Sequence, residues 1–291
     1  MRKASIAAWP NNARIAVMVT ILYESWSEGE VPSHSPMVLA APMRPGTPDL
    51  QGVIWSEYGG ETGVWRLLEI LERHGIASTF CTTARSVELY PASISAIHSA
   101  GHELAAHSYT QDMLLPYLTR EDEAELIRRC TDIIGGAVGT PPAGWISPRA
   151  TATRHTADLL IDAGYRWHGD YNDSDLPYII HRSHGDIVAL AHSDFTDIRA
   201  IRGSPRDFLH VHRDMMDFLR KSGRPEIINL SIHAHFGGRP MMAALFDQIL
   251  EYYASFDDVW FARHDQLADW VQREKIAVAQ PTAHAMHQAA I

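Results

Sequence analysis

Cysteine is nearly absent: only Cys81 and Cys130 occur in 291 residues, and they lie far apart. Both sit in apolar surroundings and read as reduced core residues. No disulfide framework is expected, and a cytoplasmic setting suits the chain. Long apolar runs are missing too. None approaches the roughly 18 residues of a membrane helix, and no continuous apolar stretch precedes Pro10, so neither a spanning segment nor a signal peptide is expected. Basic residues are outnumbered, with 25 Lys and Arg against 35 Asp and Glu, and they form no cluster. A net charge of −10 without a basic patch argues against nucleic acid as a partner. There is no internal repeat and no low-complexity block.

What is present is an alternation of short apolar runs with helical periodicities. Arg14 to Leu22 reads as a strand buried on both faces. Ala77–Thr83, His102–Ala106, Ala143–Ile146, Tyr165–His168, Ile187–Leu190, Ile227–Ile232 and Val259–Ala262 follow as strand candidates. Helical patterns span Glu61–His74, Pro91–Ala100, Thr119–Ile134, Thr153–Ala163, Pro205–Ser222, Pro240–Ala254 and His264–Glu274. Thr119 is placed to cap its helix, whose first turn is acidic. This order predicts an α/β fold, a distorted β/α barrel of about seven parallel strands, in one domain with its core over residues 14–272. Residues 26–55 form a long Pro- and Ser-containing connection that needs a use. Residues 280–291 read as a frayed tail.

In a β/α barrel the chemistry gathers at the C-terminal strand ends. That rule selects Glu24, His107, Arg149, Asp170, and His233 or His235. Histidine is abundant, with 17 residues, and serves as metal ligand, acid or base. His107 ends a short buried strand and is followed four residues later by Gln111. With a carboxylate from another strand, Glu24, they make a candidate metal set. His233 and His235 flank Ala234, and on a strand both would face one side, one acting on a leaving group and the other orienting it. Arg149 offers a planar fork for a carbonyl or carboxylate. Asp170 and Asp175 flank a loop and are candidates for substrate N–H groups. Trp145 and Tyr58 are candidate pocket walls. Each has a bland alternative: a salt-bridged carboxylate for Glu24, a hydrogen-bonded core histidine for His107, a helix-start ion pair for Arg149, turn capping for the aspartates, and core packing for the aromatics. His102 and Glu103 lie at the other end of their strand and read as structural.

Read in order, the carrying motifs are Tyr23-Glu24, Glu57-Tyr58-Gly59, Gly63-Val64-Trp65-Arg66, and Gly101-His102-Glu103 leading to His107. Then come Gly144-Trp145 with Ser147-Pro148-Arg149, Asp175-Leu176-Pro177-Tyr178, and His233 to Pro240. Together they resemble the polysaccharide deacetylase (NodB-homology) superfamily, and most nearly its allantoinase-like and cyclic-imide-hydrolase-like branch. The resemblance implies a distorted barrel and a hydrolase of non-peptide carbon–nitrogen bonds acting on a small amide, cyclic amide or imide, or ureide. A carbohydrate N- or O-deacetylase is the alternative, and a barrel that binds a small ligand without turnover is a third reading. The family pattern has two aspartates where this chain has only Glu24, two histidines four apart where it has His107 and Gln111, and an arginine where it has Ile146. A divalent metal, zinc or manganese, is the implied cofactor, held by Glu24, His107 and Gln111. A metal-independent route, with Glu24 or a histidine acting directly on water, stays open. The expected partner is a small-molecule substrate, with neither nucleic acid nor membrane, in a homo-oligomer.

Overall fold

In the computed structural model, which describes residues 6–193 and 195–274, the run Ile15–Tyr23 forms strand β1 with every residue buried. A nearly all-apolar strand of this kind needs cover on both faces and neighbours on both edges. It receives three parallel partners. Thr79–Thr82 (β2) pairs with its second half, from Thr20↔Thr79 to Tyr23↔Thr82. Glu226–His233 (β8) runs along nearly its whole length, ending at Leu22↔His233. Val259–Ala262 (β9) pairs with its first half, from Ile15↔Val259 to Met18↔Ala262. Beyond β2 the sheet continues in parallel through Glu103–Ala106 (β3), Gly144–Trp145 (β4), Trp167–His168 (β5) and Gly185–Ala189 (β7). Tyr178–Arg182 (β6) closes that edge as the antiparallel arm of a hairpin with β7. The order β6-β7-β5-β4-β3-β2-β1-β8 is a curled parallel sheet that stops short of a closed barrel, since β6 and β8 do not meet.

The helices follow local rules. Val64–His74 buries Val64, Leu67, Ile70 and Leu71, the i, i+3, i+4 stripe of a surface helix. It ends at Gly75, whose φ of 62° is the left-handed stop that glycine supplies without strain. Arg120–Val138 is capped by the Thr119 side chain, which accepts from the Asp122 N–H. The connection over 26–55 is not one open loop. It contains a short helix, Pro36–Ala40, and the start of Leu50–Tyr58, whose N-terminus is capped by Asp49.

Two expectations are corrected. The helix predicted from Glu61 starts later, at Val64, because Gly59–Gly63 forms a wider π-type turn. A Cβ on Gly63 would collide with the Ala234 carbonyl, so the turn lets two backbone segments meet. His235 does not lie on a strand beside His233. The β1 ladder runs out at Leu22↔His233, and Ala234–Gly237 coils into a single helical turn. The tail over 280–291 lies outside the described residues.

Candidate active site

Glu24 is the first residue past β1, and its side chain is only 1 % exposed. A buried carboxylate is costly unless it is hydrogen-bonded and paired, and here one of its oxygens is gripped from two sides. His107, just past β3, donates from Nδ1 to the Ile146 carbonyl at 2.7 Å, which leaves Nε2 facing Glu24 Oε1 at 3.3 Å. Gln111 donates from its amide nitrogen to the same Oε1 at 2.6 Å. The Gln111 backbone N–H donates to the Ser25 carbonyl at 2.9 Å, so the loops after β1 and β3 are tied together. Glu24 Oε2 is buried without a hydrogen-bond partner among the described residues.

His233, the last residue of β8, brings its Nε2 to 3.9 Å from Glu24 Oε1. Its other ring nitrogen, Nδ1, donates to Asp197 Oδ1 at 2.6 Å, and its backbone N–H donates to Asp197 Oδ2 at 3.0 Å. Asp197 opens a short 3₁₀ helix, Asp197–Arg202. It had no strand or motif signal in the sequence. His235 reaches the cluster from its helical turn, with Nδ1 3.9 Å from Glu24 Oε2. Its Nε2 lies 3.0 Å from His34 Nε2, and Trp26 and Trp55 pack edge-on against its ring. His34 comes from the 26–55 connection and was not anticipated as a site residue. The only available hint was that so long a connection needed a use.

Charge sets the protonation order. Burial alone would raise the Glu24 carboxyl, but the charges of His233, His107 and His235 and the His107 hydrogen bond outweigh it, leaving the group at about 2. Burial would lower His233, but the carboxylates of Asp197 and Glu24 overcome it and raise the imidazole above its usual value. Burial, then the nearby His233, pushes His235 well down and His34 down to about 4. The cluster thus holds an anion, Glu24, beside a favoured cation, His233, with His235 and His34 pushed toward the neutral form.

Beside the cluster lies a cavity of about 620 Å³ lined by Glu24, His34, His107, Gln111, Arg149 and His233, and also by His192, Arg199 and Arg202. Arg149 is exposed at its mouth, and both Arg149 and Ala150 hold left-handed backbone, at φ of 55° and 52°. The other expected substrate contacts fall elsewhere. Trp145 is fully buried and donates from Nε1 to Ser147 Oγ at 3.0 Å, a core residue beneath the cavity floor. The Asp170 side chain is buried and accepts from the Ser147 N–H at 2.9 Å while meeting His168 Nε2 at 2.8 Å, so it shapes the loop that carries Arg149. Tyr58 accepts from Arg66 at 2.6 Å and lies under the Arg239 guanidinium, outside the cavity lining. Asp175 is exposed and likewise outside the lining; its charge is felt by Arg224 instead.

A metal ion fits this donor set poorly. Among the described residues no group of three or more His, Cys, Asp or Glu is arranged to hold one. Gln111 presents an N–H to Glu24 Oε1 and so occupies a carboxylate lone pair that a cation would need. What the arrangement can do without such a centre is proton transfer. Glu24 has one oxygen held and one free, and beside it stands an imidazole anchored by a carboxylate. Such a pair can take a proton from water and give one to a departing nitrogen.

Comparison with known proteins agrees with this architecture. Residues 53–168 match the model of the polysaccharide deacetylase family. Over that segment the chain is similar to the polysaccharide deacetylase domain of the NodB type, a class of hydrolases acting on carbon–nitrogen bonds other than peptide bonds. A putative polysaccharide deacetylase of Schizosaccharomyces pombe is 25 % identical over 292 residues, covering 89 % of this chain and 91 % of that one. Among solved structures, a probable polysaccharide deacetylase from Pseudomonas aeruginosa superposes with a TM-score of 0.82 at 27 % identity, covering 91 % of this chain and 93 % of its own. PuuE allantoinase superposes with a TM-score of 0.84 at 26 % identity, covering 91 % and 92 %.

Proposed function

We propose that this protein hydrolyses the carbon–nitrogen bond of a small amide, cyclic amide or imide, or ureide with water activated at Glu24. The observation that carries the reading is the unpartnered Oε2 of a buried carboxylate, set beside an Asp197-anchored histidine in the lining of an open cavity. In this reading Glu24 Oε2 accepts a proton as the water oxygen bonds to the carbonyl carbon. Charge on the carbonyl oxygen is met by the Arg149 guanidinium, held at the mouth on backbone that costs about 1–2 kcal/mol per left-handed residue. The carbon–nitrogen bond then breaks as His233 gives its proton to the leaving nitrogen. His107 and Gln111 orient Glu24, and His235 with His34 forms the wall behind it. The substrate is small because residues 26–49 fold over the strand ends and contribute Ser33, His34 and Leu39 to the lining.

Deacetylation of a carbohydrate is the second reading, favoured by the descriptions of the S. pombe and P. aeruginosa proteins. The two are separated by assaying the full chain on small amides, five- and six-membered cyclic imides, ureides and N-acetylglucosamine oligomers. Turnover confined to the small compounds is expected. Acetate release from the oligomers alone would reverse the assignment, and no turnover of any of them would leave a ligand-binding barrel.

A further inference from the structure

Among the described residues three arginines line the cavity, Arg149, Arg199 and Arg202, against one carboxylate, Glu24. This is the reverse of the chain as a whole, which carries a net charge of −10. Glu24 does not answer the arginines, because it is engaged by His107 and Gln111. Elsewhere on the surface arginines face carboxylates, as Arg220 does Asp258 and Arg263 does Asp265. Among the described residues Arg199 and Arg202 have no ion pair and no side-chain hydrogen bond. They stand three apart on the 3₁₀ helix Asp197–Arg202. In a 3₁₀ helix residues i and i+3 eclipse one another, about 6 Å apart along the axis, so the two arginines stand on one side of the turn, and both line the cavity. Ile198 and Ile201 line the cavity from the same turn.

We propose that the substrate carries a carboxylate, joined by a short aliphatic linker to the scissile carbon–nitrogen bond, and that Arg199 and Arg202 bind it. The proposal rests on the hydrolytic reading for the identity of the bond, but the anion site itself does not. Guanidinium pairs match a planar carboxylate through two parallel N–H bonds. A phosphate would be expected to draw also on free backbone N–H groups at a helix N-terminus. Here the first of these is already satisfied, since the Ile198 N–H donates to Asp197 Oδ1 at 3.0 Å. The two isoleucines suit a linker of methylene groups rather than a sugar. The placement also links binding to chemistry. The turn that presents the arginines begins with Asp197, the residue that orients His233.

The test is isothermal titration of the full chain with succinate, inorganic phosphate and succinamide, for wild type and for the Arg199→Gln/Arg202→Gln double variant. Both positions are exposed, so the fold is expected to survive, and circular dichroism checks it. Succinate should bind wild type, lose at least about tenfold in affinity in the variant, and bind better than phosphate or neutral succinamide; tenfold is the low end for a charge-assisted pair. In parallel, kcat/KM for succinamate should fall at least as far in the variant while that for succinamide stays level. Succinate binding that is absent, or equal in the two proteins, overturns the proposal whatever the activity. Phosphate binding more tightly than succinate through the same arginines overturns the carboxylate assignment. Arginine-dependent succinate binding without turnover of either amide supports the anion site and counts against the hydrolytic reading instead.

Discussion

Replacing Asp197 with asparagine removes one charge and almost no volume, which makes it an informative change at this site. Three donors converge on the Asp197 carboxylate: His233 Nδ1 at 2.6 Å, the His233 N–H at 3.0 Å and the Ile198 N–H at 3.0 Å. An asparagine must turn an NH₂ toward one side of that set, so either the ring or the backbone of His233 loses its acceptor. A hydrogen bond to a charged partner contributes about 1.5–3 kcal/mol. With tenfold in rate for each ~1.4 kcal/mol, kcat should fall by about 10- to 150-fold. Loss of the charge adds a second signature. Burial lowers the His233 pKa, and Asp197 and then Glu24 raise it; without Asp197 it must drop. The alkaline limb of the rate profile, where the imidazolium is lost, therefore moves to lower pH, and the deficit is larger at pH 8 than at pH 6. Stability follows the same linkage. A histidine whose folded pKa is raised stabilises the fold below its unfolded value of about 6.5 and loses that contribution as pH rises through the folded value. The melting deficit of the variant should accordingly be greatest below about pH 6.5. Rates from pH 5 to 9 with parallel thermal melts measure both. A folded variant with wild-type kcat and an unmoved alkaline limb would refute the role given to the His233–Asp197 pair.

Glu24→Gln should cost at least about 10²-fold in kcat, the scale of a lost general base. Its stability signature has the opposite sign: the carboxyl is held at about 2 against an ordinary 4.5, so wild type loses this contribution as pH falls from 4.5 toward 2 and the variant has none to lose. Acid melts of equal steepness would contradict that pairing. His107→Ala should leave the circular dichroism spectrum intact and lower turnover by roughly 10²-fold or more; a folded variant at full rate would place His107 outside the chemistry. Gly63→Ala drives a methyl into the Ala234 carbonyl, and a loss of about 1–3 kcal/mol by urea titration is expected for such overpacking, with an unchanged midpoint counting against the close approach. Gln111→His replaces an amide with an imidazole beside Glu24, and zinc should bind the variant more tightly than wild type by calorimetry; equal affinity would show that position 111 does not face the ion.

The long elements were legible because their signals are local. The nearly all-apolar run of β1 and the 3.6-residue stripe of Val64–His74 each declare themselves within a dozen residues. The rule that side chains gather past parallel strands brought Glu24, His107 and His233 into one cluster for the same reason. What escaped depends on contacts distant in sequence. Asp197 and His34 lie in irregular segments, and nothing near them shows that one will anchor His233 and the other will touch His235. Alternation alone puts His235 on the same strand face as His233, whereas the strand ends where its pairing with β1 ends. Trp145 and Asp170 stand next to the right loop but point into the protein, a distinction that adjacency in sequence does not carry. The antiparallel β6 was missed because its five residues follow a turn-rich stretch that masks the hairpin.

The three-sided pairing of β1 also bears on how the molecule is made. This strand is synthesised early, yet its first half waits for β9, whose Val259 pairs with Ile15 some 240 residues later. Until residue 226 is made this nine-residue, mostly apolar strand lacks two of its three neighbours, and until residue 259 it still lacks one. Contacts of such long sequence separation pay their loop-closure entropy before they stabilise anything. A slow final step and a need for protection of the nascent chain are the natural consequences. Because Glu24 hangs from the end of β1, catalytic competence should appear only with that last docking event, later than most of the helical signal in a refolding experiment.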